Sequence, residues 1–272
     1  MAALFSLHLV PFALVAFRVM GLFLALPLLG SATVPVRIKS FLAVAVAAAA
    51  YPVVVAGHGQ TPVFPESMGL FALVPMIAFE LAIGASLGFL AGMPLHAANF
   101  AGFLMGHQMG LGLARTFDPS SDAETDLLSQ LLFIIASTAF LAIGGLDGLF
   151  AGVASSFERV PVGGFEPGIT PLELAVGLVA SGTELAVRVS APVVGIVILV
   201  LVALGALSKT LPQLNVMTVG FIMKILLGFA MLMAGLASID EAIVVDVTES
   251  LGRVMGWWRQ VGAGAGLVAF MR

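Results

Sequence analysis

The chain has 272 residues, of which 60% are hydrophobic and 10% are charged, with a formal net charge of −4 and no cysteine. A soluble domain carries about 25% charged residues, so this composition excludes an ordinary soluble fold and indicates a helical membrane protein. The lack of cysteine excludes disulfides and thiolate metal sites. No basic patch suggests a nucleic-acid partner.

Six or seven long apolar helices are predicted, because a membrane-spanning helix needs about 20 mostly apolar residues. Breaks are expected around Pro35 and Pro62, at Pro94 and at the pair Gly144–Gly145, and the chain becomes amphipathic from Ser238 onward. The predicted segments are Leu7 to Leu29, Phe41 to Ala56, Met68 to Met93, the less apolar His96 to Arg115, Leu127 to Phe157, Leu172 to Leu207 and Pro212 to Leu236.

Charged residues inside these runs need a reason, since each costs about 2.5–3.5 kcal/mol on insertion scales. Arg18 lies in the first run, which lacks the basic start of a signal peptide and is predicted to be a retained span. Glu184 and Arg188 are four residues apart and are expected to pair on one helix face. The favoured interpretation is a structural pair facing other protein, and the alternative is part of an ion pathway. Lys224 lies in a later apolar run.

Glu80 has no oppositely charged neighbour in its own apolar run. The favoured interpretation is a buried contact to a partner subunit, and the alternative is a proton site. Gly84 and Gly88 follow at intervals of four residues, a small-residue pattern that permits close approach of a second helix.

The stretch from Gly102 to Gly112 is rich in glycine and methionine. Gly102, Gly106 and Gly110 recur every four residues and are expected on one helix face, where backbones can approach closely. A tight helix–helix contact is the simpler interpretation of this pattern.

Two methionines, Met105 and Met109, are also four residues apart, with His107 and Gln108 between them. Methionine is flexible and fills irregular gaps. These residues are therefore either packing residues or part of a deformable seal beside a pore. A single histidine such as His107 is more often a packing residue than a ligand or proton carrier.

A strongly polar segment follows, with Asp118, Pro119, Asp122 and Asp126. These residues argue against lipid exposure, so the segment either lines a polar cavity or is an ordinary aqueous loop. Asp118 and Asp122 also allow a weak hypothesis of an intramembrane hydrolase. No metal, phosphate-binding or nucleophile motif occurs, so neither a cofactor nor an enzymatic activity is predicted.

Several short motifs are spread over nearly the whole chain. They are Pro27, Pro35-Val36-Arg37, Glu80 with Gly84 and Gly88, Ala101-Gly102, Gln108-Met109-Gly110, Asp118-Pro119, and the run Leu211 to Val216 followed by Gly220 and Lys224. In their order and spacing they resemble the FliR/SctT family, the R-type component of the flagellar and virulence type III secretion export gate. The flagellar system is favoured over the virulence system.

The resemblance implies an all-α polytopic membrane protein made of bent helical hairpins, similar to a P-type unit fused to a Q-type hairpin. Residues 1–171 would form the P-type-like part, residues 172–237 the Q-type-like hairpin and residues 238–272 an amphipathic tail. The hydrophobic helices would pack largely against other subunits. The subunit-packing residues would be Glu80, Gly84, Gly88, Glu184, Arg188, Pro212, Gln213, Asn215 and Lys224.

The resemblance also implies a plug loop at about residues 106–126 that closes the pore. Its plug and gate residues would be Gly106, His107, Gln108, Met109, Gly110, Phe117, Asp118 and Pro119. The expected partners are FliP-type and FliQ-type subunits, an FlhB-type switch protein, an FlhA-type export protein and exported protein substrates. The expected location is the bacterial inner membrane, in the flagellar basal body.

The predicted function is therefore a non-enzymatic, pore-forming subunit that helps to form and plug the entrance of a protein secretion channel. The alternative is a proton-coupled secondary transporter that uses Glu80 or the Glu184/Arg188 pair. Prolines at positions 75 and 192 suggest the broken helices of transporters, but no internal repeat supports this alternative.

Overall fold

A computed structural model describes residues 8–30, 35–57, 70–112, 127–164, 172–210 and 216–270. These residues are almost entirely helical and include no β-strand, which confirms the predicted all-α class. The helices are α1 (Val10–Ala25), α2 (Pro27–Gly30), α3 (Val36–Gly57), α4 (Leu70–Ala91), α5 (Met93–Met109), α6 (Leu127–Ala142), α7 (Gly145–Arg159), α8 (Leu172–Thr210) and α9 (Val216–Phe270).

Three of the described helices are long and apolar enough to cross a membrane, at Leu73–Ala91, Leu174–Lys209 and Thr218–Trp257. A fourth span results if α6 and α7 together form one broken span. These spans confirm a polytopic membrane protein. A helix lies in each of the seven predicted apolar segments, but fewer of the described helices than the predicted six or seven are long and apolar enough to be spans. Helices α1 and α5 have only 16 and 17 residues, which is short of the ~20 that a span needs.

The helix breaks follow proline and glycine. Leu26 has extended backbone angles, φ −75° and ψ 120°, and divides the predicted first segment into α1 and α2. Pro27 explains this break, because the residue before a proline disfavours the helical region. Gly144, at φ +75°, separates α6 from α7, as the glycine pair predicts. The predicted break near Pro94 falls at Gly92, and Pro94 lies in the first turn of α5, where its missing N–H is tolerated.

The predicted hairpin from 172 to 236 corresponds to α8 and the first part of α9, with residues 211–215 outside the described chain. The two helices have 39 and 55 residues. At 1.5 Å per residue they measure about 58 and 82 Å, well beyond the ~30 Å of a bilayer's hydrocarbon core. The residues from Ser238 to Phe270 continue α9 without a break, so the amphipathic region is not a separate element.

The chain packs as two compact units. Unit 1 comprises residues 1–93, 144–178 and 249–272, and unit 2 comprises residues 94–143 and 179–248. The predicted division at residues 171 and 237 rests on the family resemblance and stays a prediction.

In unit 1, α1 packs along α4 and against α3, while α7 contacts both α3 and α4. The last part of α9 also belongs to this unit, and its Met255 lies over Gly148 and Gly152 of α7. Burying the apolar face of α1 contributes to stability through the hydrophobic effect. The fully buried apolar residues of α1 are Leu14, Val15, Val19, Leu22 and Phe23.

In unit 2, α5 lies directly against α6 at Gly102. A β-carbon at this position would overlap the backbone of Leu128 and Ser129, so the close contact requires glycine. The buried residues of α8 and α9 recur mostly at intervals of four, as expected for helices with one buried stripe. They include Leu185, Val189, Val193 and Val197 on α8, and Leu232, Ile239, Ile243 and Val247 on α9.

Candidate functional site

The most polar part of the unit 1 core is an ion pair between Arg18 of α1 and Glu80 of α4. Arg18 Nε donates to Glu80 Oε2 at 2.5 Å, and the two side chains are 0% and 2% exposed. Arginine keeps its proton under all ordinary conditions, so a charged partner is needed to offset its removal from water. The pair therefore explains why both charges are tolerated in apolar helices.

The remaining donors of Arg18 are directed at α7 and the residue that follows it. Nη1 donates to Ser156 Oγ at 2.9 Å, and Nη2 donates to the Val160 carbonyl oxygen at 3.1 Å. The guanidinium also lies over the Phe157 ring, 3.9 Å from its centroid, a favourable cation–π position. One buried cation thus connects three helices of unit 1.

Glu80 is also bonded through its second oxygen. Oε1 accepts the backbone N–H of Gly163 at 2.9 Å, in a turn where Gly163 has a φ of +74°. A buried carboxylate with both oxygens bonded meets the requirement that buried charges be paired and hydrogen-bonded. The expectation that a partner subunit supplies the contact of Glu80 is therefore corrected, because Arg18 and Gly163 of the same chain supply it.

Gly84 and Gly88 permit a close helix approach, as their spacing predicts, and the neighbouring helix is α1 of the same chain. A β-carbon at Gly84 would overlap the Arg18 carbonyl group, and one at Gly88 would lie 2.5 Å from the Leu22 carbonyl oxygen. Gly21 of α1 is in turn packed against the backbone of Leu81. The expected role of these glycines in packing between subunits is corrected to packing within unit 1.

Glu184 and Arg188 form the predicted pair on α8. Arg188 Nη2 donates to Glu184 Oε1 at 2.7 Å, and the side chains are 64% and 70% exposed for Arg188 and Glu184. The pair lies on the surface of unit 2, and Lys224 of α9 is half-buried. Their role in subunit packing stays a prediction. The other three expected packing residues, Pro212, Gln213 and Asn215, lie outside the described residues.

Helix α5 ends at a glycine cap. Gly110 has a φ of +83°, its N–H donates to the His107 carbonyl oxygen at 3.1 Å, and the Leu111 N–H donates to the Gly106 carbonyl oxygen at 3.0 Å. This pair of bonds is a Schellman motif, which ends a helix at a left-handed glycine. Gly102 and Gly106 are buried on α5, but the expectation that Gly110 shares their helix face is wrong, because the helix has already ended.

The two methionines of α5, Met105 and Met109, are both 0% exposed. Met109 lies against Gly228 of α9, within unit 2. Their burial agrees with the helix-packing interpretation of the methionine pair. In this chain they are core residues of unit 2.

The opposite face of α5 carries a row of exposed rings. Phe100 stacks on Phe103 with centroids 6.2 Å apart, and Phe103 stacks on His107 at 5.8 Å. Gln108 is exposed beside them. The spacing of positions 100, 103 and 107 places them on one helix face, so this row of rings could have been predicted from the sequence, although the sequence analysis does not include it.

The expected plug residues Phe117, Asp118 and Pro119 lie outside the described residues, as does Asp122. Among the residues that the structure describes, no group of three or more His, Asp or Glu side chains is arranged to hold a metal ion.

Comparisons with known proteins agree on one family. A family model described as bacterial export proteins, family 1, matches residues 9–249. The chain is 31% identical over 225 residues to the flagellar biosynthetic protein FliR of Bacillus subtilis (strain 168), covering 81% of this chain and 84% of that protein.

Two further relatives show the same extent of similarity. The flagellar biosynthetic protein FliR of Escherichia coli (strain K12) is 30% identical over 218 residues, covering 80% of each chain. The surface presentation of antigens protein SpaR of Salmonella typhimurium is 27% identical over 219 residues, again covering 80% of each chain. Since the family model and these relatives cover most of the sequence, the chain belongs to the bacterial export proteins, family 1.

Proposed function

We propose that this chain is a non-enzymatic subunit of a bacterial flagellar or type III protein export apparatus. In this role it joins P-type and Q-type subunits in the inner membrane and helps to form and plug the entrance of the secretion channel. The observation that carries the proposal is the match to export proteins over residues 9–249. Relatives named for flagellar biosynthesis, surface presentation of antigens and Yop translocation support the export role.

The surface of the described helices supports assembly with other membrane components. Phe71 of α4 is 93% exposed, and Val202 of α8 and Met233 of α9 are 66% and 67% exposed. Such apolar surface must be covered by lipid or by protein. Because α8 and α9 are longer than a bilayer is thick, lipid alone does not cover their whole length, and partner subunits are the proposed cover for the rest.

The end of α5 supports the plug. The helix stops at a Schellman cap, and the chain then continues into the polar segment with Asp118, Pro119 and Asp122. Acidic side chains are costly against lipid, so a water-containing channel is the proposed environment of this segment. The proposed plug and gate residues are Gly106, His107, Gln108, Met109, Gly110, Phe117, Asp118 and Pro119.

The geometry of Glu80 favours this structural role over the alternative of a proton-coupled transporter. Both carboxylate oxygens are engaged, one by Arg18 and one by Gly163. A proton carrier has to exchange its proton with water, whereas this side chain is only 2% exposed. The exposed Glu184/Arg188 pair neutralises itself, which suits a structural pair.

The test of the proposal is a deletion of residues 110–122 in the full chain, expressed with its partner subunits. We expect the assembled export apparatus to persist and the membrane to become permeable to small solutes. The chain should co-purify with P-type and Q-type subunits before and after the deletion. Unchanged permeability in a fully assembled complex would argue against the plug, and failure to co-purify from the intact protein would argue against the assembly.

The transporter alternative has its own direct assay. Purified chain reconstituted alone into vesicles should show no proton-driven uptake of solutes. Proton-driven uptake by the purified chain alone would favour the transporter over the export subunit.

A further inference from the structure

Met109, the last residue of α5, is packed against a glycine of α9. A β-carbon built on Gly228 would lie 2.8 Å from Met109 Sδ and Cε and 2.9 Å from Met109 Cγ. Real β-carbons do not approach other atoms so closely, so a larger residue at position 228 must move the methionine. Met109 is itself 0% exposed, in the core of unit 2.

The backbone after Met109 is held by the Schellman motif that ends α5. Gly110 adopts its left-handed conformation directly after Met109, and Leu111 is hydrogen-bonded back to Gly106. Residues 110–112 therefore leave α5 directly after the residue that packs on Gly228. The polar segment begins immediately after them.

We propose that Gly228 is a positioning residue of the export gate. By lacking a side chain, it forms a seat for Met109 and so fixes the point from which the chain leaves α5 toward the plug residues. This inference rests on the proposed function, because it concerns the plug of the same channel. It identifies a residue of α9, more than 100 positions after Met109 in the sequence, that influences the plug. This residue is not among the motifs that carry the family resemblance.

Because the side chain that must move is a methionine, its displacement depends on the size of the residue placed at position 228. The methionine side chain is flexible and can shift by a rotamer change, so Gly228→Ala displaces mainly the sulfur and methyl group. Gly228→Val adds two further carbons and a stiff, branched side chain, and overfilling a packed core forces backbone shifts. The larger substitution is therefore expected to move the end of α5 itself.

The experiment uses the full chain expressed with its partner subunits, and measures entry of a small solute into cells per assembled complex. We expect permeability to rise slightly in Gly228→Ala and several-fold in Gly228→Val. Adding Met109→Ala to Gly228→Val vacates the space that the valine needs. The double variant should therefore leak less than Gly228→Val alone.

Two matched glycines serve as controls. Gly152 of α7 also faces a methionine, with Met255 Cε 3.0 Å from a β-carbon built on it, but it belongs to unit 1. Gly235 lies two turns after Gly228 on α9 and has only Ile239 Cδ1 within reach, at 4.0 Å. Neither Gly152→Ala nor Gly235→Ala should raise permeability per assembled complex.

The outcomes separate this inference from the proposed function. If the deletion of residues 110–122 leaks but Gly228→Val does not, the inference is overturned and the plug stands. Met109→Ala alone gives the reference, because Met109 is itself a proposed gate residue. If Met109→Ala alone does not leak, a leak in Gly228→Val that the double variant leaves undiminished also overturns the inference, because the contact is then not the cause. If the deletion itself does not leak, the plug fails. Should Gly228→Val fail to assemble, the milder Gly228→Ala, with and without Met109→Ala, decides in the same way.

Discussion

Arg18 and Glu80 are 62 positions apart in the sequence, yet they form a buried ion pair at the centre of unit 1. The guanidinium also bonds Ser156 and the Val160 carbonyl, and the carboxylate bonds the Gly163 N–H. A buried pair of this kind is weak support for stability compared with apolar packing, but breaking it by removing one partner is costly. The network therefore fixes how α1, α4 and α7 come together.

Removing one charge of this pair should destabilise unit 1 strongly. Arg18→Met and Glu80→Gln each leave one partner without its counter-charge, and we expect each to lower the free energy of unfolding by about 3–5 kcal/mol. The double variant removes both charges, so it should be less destabilised than the two single losses added together. Thermal unfolding of the purified protein in detergent measures all three.

The matched control is Arg253→Met, which removes a cation from the exposed Arg253–Glu249 pair of α9. It should change stability by much less, because exposed pairs contribute about 0–1 kcal/mol. If Arg18→Met and Arg253→Met had equal effects, the buried network would not be what holds α1 against α4 and α7.

Gly84 should tolerate no side chain. A Gly84→Ala substitution places a methyl group against the Arg18 carbonyl on the backbone of α1, which cannot move aside as a flexible side chain could. We expect the free energy of unfolding to fall by about 1–3 kcal/mol, typical of overfilled cores, as measured by thermal unfolding in detergent.

Gly177→Ala is the control within unit 1, since nothing lies within 4 Å of its β-carbon. It should be neutral or slightly stabilising, because alanine favours helix. Equal losses at both positions would contradict the close packing.

The sequence predicted the features of this fold that are local. Apolar runs predicted the helices, Gly144 and Pro94 predicted two breaks, and the spacing of Glu184 and Arg188 predicted their pair. Contacts across the chain were not predictable in this way. Nothing local identifies Arg18 as the partner of Glu80, because the pair depends on how helices distant in sequence come together.

The predicted number of membrane spans was too high because two apolar runs are divided or end early. Leu26, before Pro27, ends α1 after 16 residues, and the left-handed Gly110 ends α5 after 17 residues, short of the ~20 that a span needs. Likewise, a spacing of four places Gly110 on the helix face only if the helix reaches it. The left-handed cap at Gly110 ends the helix one residue earlier.

Gly110 should be replaceable by asparagine at lower cost than by alanine. Its φ of +83° is a left-handed conformation, which costs most L-residues about 1–2 kcal/mol and which asparagine adopts more readily. We expect permeability per assembled complex to rise in the order wild type, Gly110→Asn, Gly110→Ala, as the cap before the proposed plug weakens. Gly144→Ala imposes similar strain at φ +75° between α6 and α7, and should lower stability without a leak. A leak in Gly144→Ala equal to that in Gly110→Ala would mean that general destabilisation is the cause.

Exchanging Glu184 and Arg188 should preserve the role of the pair, if that role is structural. A single Glu184→Gln substitution leaves Arg188 as an unpaired charge within the apolar span Leu174–Lys209, where an isolated charge costs about 2.5–3.5 kcal/mol on insertion scales. We expect less chain in the membrane fraction for this variant. The swapped double variant, Glu184→Arg with Arg188→Glu, keeps both charges on the same face four residues apart, and should restore the amount found in the wild type.

The same swap distinguishes the two interpretations of the pair. A structural pair needs only mutual neutralisation, so the swapped variant should assemble and export at wild-type levels, measured by quantitative immunoblot and by secreted substrate. An ion pathway needs each charge at its own position. After the swap, a passing ion would meet a charge of the opposite sign at each of the two positions, and the local electrostatic potential there would change sign. Normal amounts of the swapped chain combined with lost export would therefore favour a pathway over a purely structural pair. The 2.7 Å bond between the two side chains favours the structural outcome, since either order of the two charges allows them to neutralise each other.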